Sequence, residues 1–559
     1  MTALKQYDFR RMSFYQIWTR SFCDGNGDGI GDLYGVYDKL EYIQSLGVDG
    51  IWFSPIYPSP NADFGYDITD YKNIHPDFGT LEQFRRVLDK AHSLGLKVLL
   101  DLVINHTSDE HPWFKESCKG RDNPYSDYYI WRNPRFKGEA KLPPNNWYSQ
   151  FEGLAWEYNE TREQYYLHVF AKKQPDLNMD NPKVREEIKS IMRFWLDMGV
   201  DGFREDVINY ISKHDQLPNG LPFLPAINGL RYYKEGPNLK CYLQEFREVA
   251  LEYGVIQIGE MPYTHVSHAL DYVGGENRVL DMMIQFDTTM ADCFITEYVH
   301  HRFLLRKLKR AFSKWQHALR DEGWNALYLE NHDHPRIISR YGNESFWRES
   351  GSMLAFSYIF QRGTPFLYQG QEMGMTNIHL ASIDEYLDVV SKNAYHSLLG
   401  WMREDKRMKI IYAASRDSAR TPVQWTSGRN AGFTDGTPWF KINPNYTTVN
   451  AESEESDPFS ILNLYRACLK LRRENDTLLW GAYREHHPLS GSVYQYERYT
   501  ERERILIICS FSGRERRIRL PRGFDAAQAE WMLGNYPKQS FNGRLRPSEA
   551  LVLRFPAIR

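Results

Sequence analysis

The sequence predicts an α/β protein built on a (β/α)8 TIM barrel, with a small domain inserted after strand three and a C-terminal antiparallel β-sandwich. Three observations lead to this fold class. Eight short apolar segments recur over residues 14–372, with amphipathic helical patterns between many of them. About 90 residues separate the third segment from the fourth, far more than one connecting helix needs. Beyond residue 480 the pattern changes to short alternating runs, which are typical of antiparallel sheets.

The eight apolar segments are the predicted barrel strands, and they occupy residues 14–18, 48–55, 96–106, 200–206, 255–261, 279–286, 326–333 and 364–372. Helices are predicted over 81–95 and 182–199, and the second has Asn181 and Pro182 as a suitable cap and first turn. Strands that alternate with helices favour a parallel sheet covered by helices. Eight such units predict that the sheet closes into a barrel.

The chain is expected to divide into three domains. The barrel comprises residues 1–105 and 175–480, and residues 106–174 form the inserted domain, which is rich in Trp, Tyr, Asn and Pro. Residues 481–559 form the C-terminal domain, because runs such as 492–499 and 504–511 alternate as strands do. A length of 559 residues is too great for one ordinary domain and agrees with this division.

Composition excludes several classes of partner. Charged residues make up 25% of the chain and the formal net charge is −3, so neither a nucleic acid nor an anionic membrane surface is expected. The N-terminal segment is not expected to be a signal peptide, and no uncharged apolar run has the length of a membrane helix. The six cysteines are scattered without a CxxC pair, so neither a disulfide framework nor a zinc site is expected. We expect a cytoplasmic monomer or small homo-oligomer.

Polar groups stand at the ends of the third, fourth, fifth and seventh predicted strands. In a barrel the C-terminal strand ends carry the chemistry. Asp206, Glu260 and Asp333 would therefore converge on one pocket, although any single acid could instead cap the helix that follows it. Because strand side chains alternate between faces, Arg204 and Asp206 are expected to share a face and Glu205 to point away.

Carboxylates in this arrangement predict cleavage of a glycosidic bond, which needs an ionised nucleophile and a protonated acid. Arg204 would favour the charged form of Asp206, which makes Asp206 the predicted nucleophile. Burial beside negative neighbours would raise the pKa of Glu260 and make it the acid/base. Asp333 would then hold sugar hydroxyls and stabilise positive charge at the anomeric carbon.

Four ordered motifs resemble those of glycoside hydrolase family 13, the α-amylase superfamily; they are DLVINHTS (101–108), GFRED (202–206), GEMP (259–262) and ENHDHPR (330–336). The segment QPDLNMDNP (174–182) resembles a further motif that marks the oligo-1,6-glucosidase branch. Segments 20–33, 65–71, 362–377 and 416–425 are similar to that branch too. The resemblance extends over nearly the whole chain.

The resemblance implies a role for each matching residue. Asp206, Glu260 and Asp333 match the nucleophile, the acid/base and the transition-state stabiliser. The residues that match substrate-binding positions are Asp63, Tyr66, His106, Phe170, Arg204, His332 and Arg420. Among these, Asp63 and Arg420 are implied to grip the non-reducing glucose as a pair. The implied activity is the release of one terminal glucose with retention of the α-configuration, through a covalent glucosyl-enzyme.

Val207 is expected to determine part of the specificity for the glycosidic linkage. In this branch a valine after the nucleophile accompanies α-1,6 cleavage, so isomaltose, isomaltooligosaccharides and dextran ends are the expected substrates. An α-1,4-glucosidase, a sucrose-hydrolysing enzyme and a transglycosylating enzyme stay open as alternatives, and a catalytically silent carbohydrate-binding homologue is a remote one. The region 338–350 lacks the arginine-rich loop of the sucrose isomerases. Glu330 and His334 depart from the common pattern and leave acceptor specificity open.

The segment 24–32 spaces Asp24, Asn26 and Asp28 like the start of an EF-hand loop. Asp32 and the carbonyl of Ile30 could add further oxygens. No glutamate stands at the twelfth position, so the residues alone leave a metal loop and an Asx/Gly turn equally open. Resemblance to the branch favours a single structural Ca²⁺ or Mg²⁺, and no organic cofactor is expected.

Overall fold

The fold is a closed parallel barrel in a computed structural model that describes residues 8–151, 153–221, 227–294, 296–539 and 541–557. Its strands are β1 Phe14–Ile17, β2 Gly50–Phe53, β3 Lys97–Leu102, β4 Gly202–Glu205, β5 Ile256–Glu260, β6 Met282–Ile284, β7 Ala326–Leu327 and β8 Thr364–Tyr368. They form one eight-stranded sheet in the order β6-β5-β4-β3-β2-β1-β8-β7, and every neighbouring pair is parallel. A bridge between Met283 and Asn325 joins the two outer strands. The predicted barrel is confirmed.

A helix follows each barrel strand before the next one begins. These helices are α1 Leu33–Ser45, α2 Leu81–Ser93, α3 Pro182–Met198, α4 Leu239–Tyr253, α5 Ala269–Val273, α6 Leu305–Ala318, α7 Trp347–Ile359 and α8 Ile461–Glu474. Thr80 and Gln83 form a capping box at the start of α2. Asn181 caps α3, and Gly199 ends it in the left-handed conformation with φ 110°. No helix among the described residues combines the length and apolar character that a membrane span requires.

The chain leaves the barrel between β3 and β4, as the sequence predicts. This excursion contains the helix Pro112–Ser117, a three-stranded sheet of Trp131–Arg132, Gln164–Leu167 and Trp156–Asn159, and a hairpin of Arg135–Lys137 and Ala140–Leu142. A bridge between His106 and Asp176 joins its two ends. The exact boundaries of the three domains stay predictions.

A second excursion follows β8 and covers residues 369–460, and the sequence analysis did not predict it. It contains the helices Val389–His396, Glu404–Ala414 and Ala451–Glu454. Tyr386, Tyr395 and Ile411 build its apolar core, to which Tyr298 from the β6–α6 connection also belongs. The remaining α-helices are short: Leu230–Tyr233, Ile337–Tyr341 and Asp476–Trp480.

The C-terminal region is an antiparallel sheet of β9 Ala482–His486, β10 Val493–Tyr499, β11 Glu503–Ser510, β12 Glu530–Gly534 and β13 Ala550–Pro556, in the order β9-β10-β11-β13-β12. One face packs on α7, where the Tyr496 hydroxyl donates to the Phe356 carbonyl at 2.8 Å. The other face, which includes Leu506 and Leu553, is covered by Ile518, Phe541 and neighbouring apolar side chains. The second layer of the predicted sandwich consists of a short antiparallel pair, Arg516–Arg517 with Arg544–Leu545, and of the loops around it.

Candidate active site

Three carboxylates share one arginine at the C-terminal ends of β3, β4 and β5. Arg204 donates through Nη1 to Asp101 Oδ1 at 2.6 Å and to Asp206 Oδ1 at 2.7 Å. Its Nη2 forms an ion pair with Glu260. Arg204 and Asp206 therefore share a face, as predicted, whereas Glu205 points away and accepts a hydrogen bond from Gln257 at 2.7 Å.

Burial dominates the electrostatics of this group. It raises the pKa of Asp206 well above its ordinary value, although Arg204 opposes the shift. Burial also raises the pKa of Glu260, which agrees with the prediction, and raises the pKa of Asp101 to about 7. Arg204 favours the charged form of Asp206, as predicted, but burial outweighs it and the net shift of the pKa is upward. The group holds protons more readily than ordinary carboxylates do.

Asp333 has a different environment, dominated by positive charge. Its Oδ2 lies 2.9 Å from His332 Nε2, and its Oδ1 lies 3.1 Å from both Arg416 Nη1 and Arg420 Nη2. Burial by itself would raise the pKa of Asp333, but the hydrogen bond with His332 and the charges of the two arginines outweigh it and hold the pKa well below the usual range. Asp333 therefore stays ionised more readily than the three carboxylates around Arg204 do.

A hydrogen-bonded chain leads from Asp333 to the buried end of the site. Arg416 Nη2 lies 3.0 Å from Asp63 Oδ1, and Gln174 donates to Asp63 Oδ2 at 3.2 Å. The same amide nitrogen lies 3.1 Å from His106 Nε2. Despite Arg416, burial raises the pKa of Asp63 to about 6.

Asp63 forms its ion pair with Arg416, which belongs to the 3-10 turn over residues 416–418. Arg420 donates to Asp333 and to the carbonyl of His332, the latter at 3.1 Å. That Asp63 and Arg420 grip the non-reducing glucose as a pair stays a prediction.

Aromatic rings form the walls between these polar groups. Tyr66 stacks on His332 with ring centroids 5.1 Å apart, and its hydroxyl donates to Asp101 Oδ2 at 3.0 Å. Phe170 lies beside His106 with centroids 5.2 Å apart. Burial lowers the pKa of His106 to about 3 and that of His332 to about 4, so both rings are neutral at pH 7. Neutral imidazoles can exchange hydrogen bonds with hydroxyl groups.

These residues surround a cavity of about 180 Å³. Ten of its lining residues are Asp63, Tyr66, His106, Phe170, Asp206, Val207, Glu260, Glu297, Asp333 and Arg416. Asp63 and His106 are almost completely buried, whereas Tyr263 is 38% exposed and the Glu297 side chain 23%. The cavity therefore has a buried end at Asp63 and an open end at Tyr263 and Glu297.

Val207 occupies an unusual position on this wall. Its φ is 37°, in the left-handed region that β-branched residues rarely adopt. Its backbone N–H donates to Glu260 Oε2 at 3.2 Å. The strained turn after β4 therefore orients Glu260 through the backbone while the Val207 side chain lines the cavity.

Two residues left open for acceptor specificity do not line the cavity directly. Glu330 is buried and forms an ion pair with Arg336 at 3.2 Å. His334 is also buried, and its Nδ1 lies 2.8 Å from Glu297 Oε1. Glu330 therefore has a structural contact, and His334 contacts two lining residues of the cavity, Glu297 and Phe286.

The segment 24–32 forms a turn in which side-chain oxygens accept N–H groups of the same loop. Asp24 Oδ1 accepts from Gly27 at 2.7 Å, Asn26 Oδ1 from Asp28 at 2.8 Å, and Asp28 Oδ1 from Ile30 at 2.8 Å. Asn26 Oδ1 and Asp28 Oδ1 each keep a second lone pair, whereas each carboxylate oxygen of Asp24 accepts two hydrogen bonds. An all-oxygen donor set suits Ca²⁺ or Mg²⁺. The chemistry of Asp24, Asn26, Asp28 and the Ile30 carbonyl therefore fits such an ion. Asp32 is buried and caps α1.

Comparison with known proteins assigns the family. Residues 16–481 match the family described as alpha amylase, catalytic domain. The chain belongs to the α-amylase family. As a member of this family, it is a glycoside hydrolase.

Similar proteins of this family cover nearly the whole chain. The oligo-1,6-glucosidase of Parageobacillus thermoglucosidasius is 45% identical over 97% of each chain, and the trehalose-6-phosphate hydrolase of Bacillus subtilis is 41% identical over 98% of each. The solved structure of the trehalose-6-phosphate hydrolase of Bacillus licheniformis has a TM-score of 0.91 and 40% identity, and covers 98% of this chain and 99% of its own. The structure of the trehalulose synthase of Pseudomonas mesoacidophila MX-45 has a TM-score of 0.92 and 37% identity, with the same coverage.

Sequence reasoning missed three site residues of this α-amylase family member. Asp101 is the last polar residue within β3, and its alternation with the apolar residues around it could have placed it inside the barrel. Arg416 and Asp388 belong to the excursion after β8, where no strand end marks a position. They form an ion pair at 2.5 Å, and Asp388 is fully buried. The signal for Arg416 was the motif 416–425, from which Arg420 alone was selected, and Asp388 belonged to no motif.

Proposed function

We propose that this glycoside hydrolase is an exo-acting retaining α-glucosidase that releases terminal glucose from α-1,6-linked oligosaccharides such as isomaltose. The observation that carries the proposal is the cavity with one buried end. Three carboxylates meet in it, and Asp63, Arg416 and His106 close the end beyond them. A cavity closed at one end admits a chain terminus and not the middle of a polymer.

In the proposed mechanism, Asp206 attacks the anomeric carbon while Glu260 protonates the departing glycosidic oxygen. Water, deprotonated by Glu260, then hydrolyses the glucosyl–Asp206 ester and restores both groups. Ion pairs with the two terminal nitrogens of one guanidinium hold the two carboxylates close together. Such closeness is typical of retaining enzymes. Asp333, whose pKa is lowered, would stabilise the positive charge that develops on the sugar.

The open end of the cavity favours a neutral acceptor sugar over a phosphorylated one. Glu297 stands there, and Arg416 is the single Lys or Arg among the described lining residues. Arg416 already contacts Asp63, Asp333 and Asp388. A sugar phosphate would normally be recognised by unpaired arginine or lysine side chains. This distinguishes the proposal from the activity named for the trehalose-6-phosphate hydrolases.

Two further assignments accompany the proposal. A single Ca²⁺ or Mg²⁺ is proposed in the loop of Asp24, Asn26, Asp28, Ile30 and Asp32, supported by its all-oxygen donor set. A cytoplasmic location is proposed because all six cysteines are free thiols, as is usual in a reducing compartment.

The deciding experiment follows purified protein with isomaltose, maltose and sucrose and identifies every product by NMR. We expect faster glucose release from isomaltose than from maltose. A preference for maltose or sucrose would keep the chemistry but move the specificity to the α-1,4, sucrose-hydrolysing or transglycosylating alternatives. With an aryl α-glucoside, whose leaving group is not a sugar, we expect α-glucose as the first product, and initial release of β-glucose from it would contradict the retaining mechanism.

The roles of the two carboxylates are tested by azide rescue. We expect Asp206→Ala to lose about 10⁴-fold or more in turnover. With an aryl α-glucoside and azide, this variant should form β-glucosyl azide, because azide replaces the missing nucleophile. Glu260→Ala should instead form α-glucosyl azide from the covalent intermediate. The opposite pair of anomers would reverse the assignment.

A further inference from the structure

Three side chains of metal-ligating type meet in the connection between β6 and α6. Cys293 Sγ lies 3.4 Å from Asp292 Oδ1 and 3.9 Å from His300 Nδ1. His300 Nδ1 lies 3.7 Å from Asp292 Oδ2. Within the part of the chain that the structure describes, this is the one group of three or more His, Cys, Asp or Glu residues with ligand atoms so close together.

The spacing is somewhat wider than a small tetrahedral ion needs. Zinc binds sulfur at about 2.3 Å and nitrogen or oxygen at about 2.0–2.2 Å, so neighbouring ligand atoms stand about 3.3–3.6 Å apart. With one ligand atom from each residue the three atoms lie within 4.8 Å of one another, and the 3.4 Å and 3.7 Å contacts use different oxygens of Asp292, so an ion would have to draw the ligands together. The mixture of thiolate, imidazole and carboxylate suits zinc better than it suits calcium or magnesium.

The backbone holds these ligands in place before any ion binds. Cys293 and His300 face each other in an antiparallel bridge. The N–H of His301 donates to the Asp292 carbonyl at 2.9 Å, and that of Phe294 donates to Val299 at 3.0 Å. Ligands that are fixed in advance lose little freedom on binding.

Arg340 and Tyr341 already contact the group. Arg340 donates to both oxygens of Asp292, at 2.5 and 2.9 Å, and to Cys293 Sγ at 3.0 Å. The Tyr341 hydroxyl lies 3.3 Å from Asp292 Oδ1. Such donors orient metal ligands. Because the charge of Arg340 also opposes a second cation, we expect reversible rather than permanent occupancy.

We propose that Asp292, Cys293 and His300 bind a zinc-like divalent transition-metal ion that controls the open end of the cavity. Thr296, Glu297 and Tyr298 lie between the ligands in sequence and line that end. An ion on Cys293 and His300 would fix the two ends of this segment. Metal binding itself is independent of the proposed function, whereas its effect on turnover rests on it.

The test is a titration of the whole metal-free protein with Co²⁺, whose tetrahedral thiolate complexes absorb in the visible and near-ultraviolet. We expect one equivalent to give tetrahedral bands together with a thiolate charge-transfer band, and Zn²⁺ to displace both. Binding should weaken as the pH falls, because the thiol and the imidazole must lose their protons. A spectrum without the thiolate band would overturn the proposal, since the oxygen loop of residues 24–32 cannot produce one.

Two variants locate the site. Cys293→Ser should remove the charge-transfer band and weaken Co²⁺ binding by at least about tenfold. Losing a residue that merely hydrogen-bonds to a metal ligand already costs about this much in affinity, and losing a ligand should cost more. Cys241→Ser, at an exposed free thiol, is the matched control and should bind like the wild type. His300→Gln should lower affinity while keeping the thiolate band. Equal affinity in wild type and Cys293→Ser would also overturn the proposal.

Turnover provides a separate readout. Zn²⁺ should change KM more than kcat for a disaccharide, and the change should vanish in Cys293→Ser. An unchanged KM beside a positive Co²⁺ spectrum would refute control of the cavity. A protein without glucosidase activity that still gives the Co²⁺ spectrum would refute the proposed function and leave the metal site standing.

Discussion

Val207 shows how one residue can shape both specificity and catalytic geometry. Its left-handed backbone, at φ 37°, carries a strain of roughly 1–3 kcal/mol. The same turn directs its N–H to Glu260, and its side chain lines the cavity. The sequence could flag the residue by its place after Asp206, but not the strain, since valine is the typical residue of an extended strand.

Val207→Ala should lower the ratio of kcat/KM for isomaltose over maltose by about tenfold, because two methyl groups leave the wall of the cavity. The ratio is measured by initial glucose release from both disaccharides. Val390→Ala, at another valine of the same cavity, is the control and should change the ratio less. An unchanged ratio in Val207→Ala would show that Val207 does not determine linkage specificity.

The shifted carboxylates predict the pH dependence. The proposed mechanism needs Asp206 ionised, and burial raises its pKa, so kcat/KM should fall with decreasing pH well above the usual aspartate value of about 3.9. Asp333 raises the pKa of both Asp206 and Glu260. Asp333→Asn removes that charge, so both the acid and the alkaline limb of the pH profile of its residual kcat/KM should move to lower pH. If either limb stays in place or moves to higher pH, the charge of Asp333 does not raise these two pKa values.

At the scale of elements, strands were predictable and excursions were not. All eight barrel strands lie inside the predicted segments, because buried parallel strands are short and apolar. The polar groups at their ends therefore identified Asp206, Glu260 and Asp333. The excursion after β8 has no such regularity, so Arg416 and Asp388 could not be placed from pattern alone. Their positions depend on tertiary packing of the 416–418 turn against the barrel.

Arg416 is the predicted weak point of this element. Arg416→Gln removes the cation shared by Asp63, Asp333 and Asp388, and should cost about 3–5 kcal/mol in the free energy of unfolding. It should also lower kcat/KM by about 10²-fold or more, because Asp333 loses a partner that orients it. Urea unfolding and steady-state kinetics measure the two effects.

The control for Arg416→Gln is Arg403→Gln. Arg403 is 82% exposed at its side chain and pairs with Asp405. An exposed ion pair contributes about 0–1 kcal/mol, so this variant should behave like the wild type. A loss in Arg416→Gln no larger than in the control would show that the buried carboxylates take up protons instead.

At the scale of the whole molecule, the loop of residues 24–32 connects the first βα unit to the excursion after β8. Asp24 Oδ2 accepts from the Thr434 hydroxyl at 2.5 Å, and the N–H of Trp439 donates to the Gly29 carbonyl at 2.9 Å. Gly29 has φ 96°, and a Cβ there would lie 1.8 Å from the Thr437 carbonyl oxygen. The two chain segments therefore meet too closely for any other residue.

Removal of Ca²⁺ by a chelator should lower the melting temperature by a few degrees, since an ion that binds only the folded state stabilises it. Asp24→Asn should abolish this dependence, and Asp38→Asn, at an exposed acid on α1, should retain it. Differential scanning calorimetry with and without Ca²⁺ measures the effect. A wild type that melts at the same temperature in both conditions would exclude a structural ion in this loop.

The two strands that close the barrel are its shortest, and a single bridge joins them. The seam joins a strand of three residues, β6, to one of two residues, β7, through the Met283–Asn325 bridge. Few backbone hydrogen bonds must break for these strands to part, so amide hydrogen exchange should be fastest there among the barrel strands. Asp333 follows one side of the seam and Glu297 the other. Gentle heating should therefore destroy catalysis while most of the helix content survives, with inactivation beginning at the rim beside this seam.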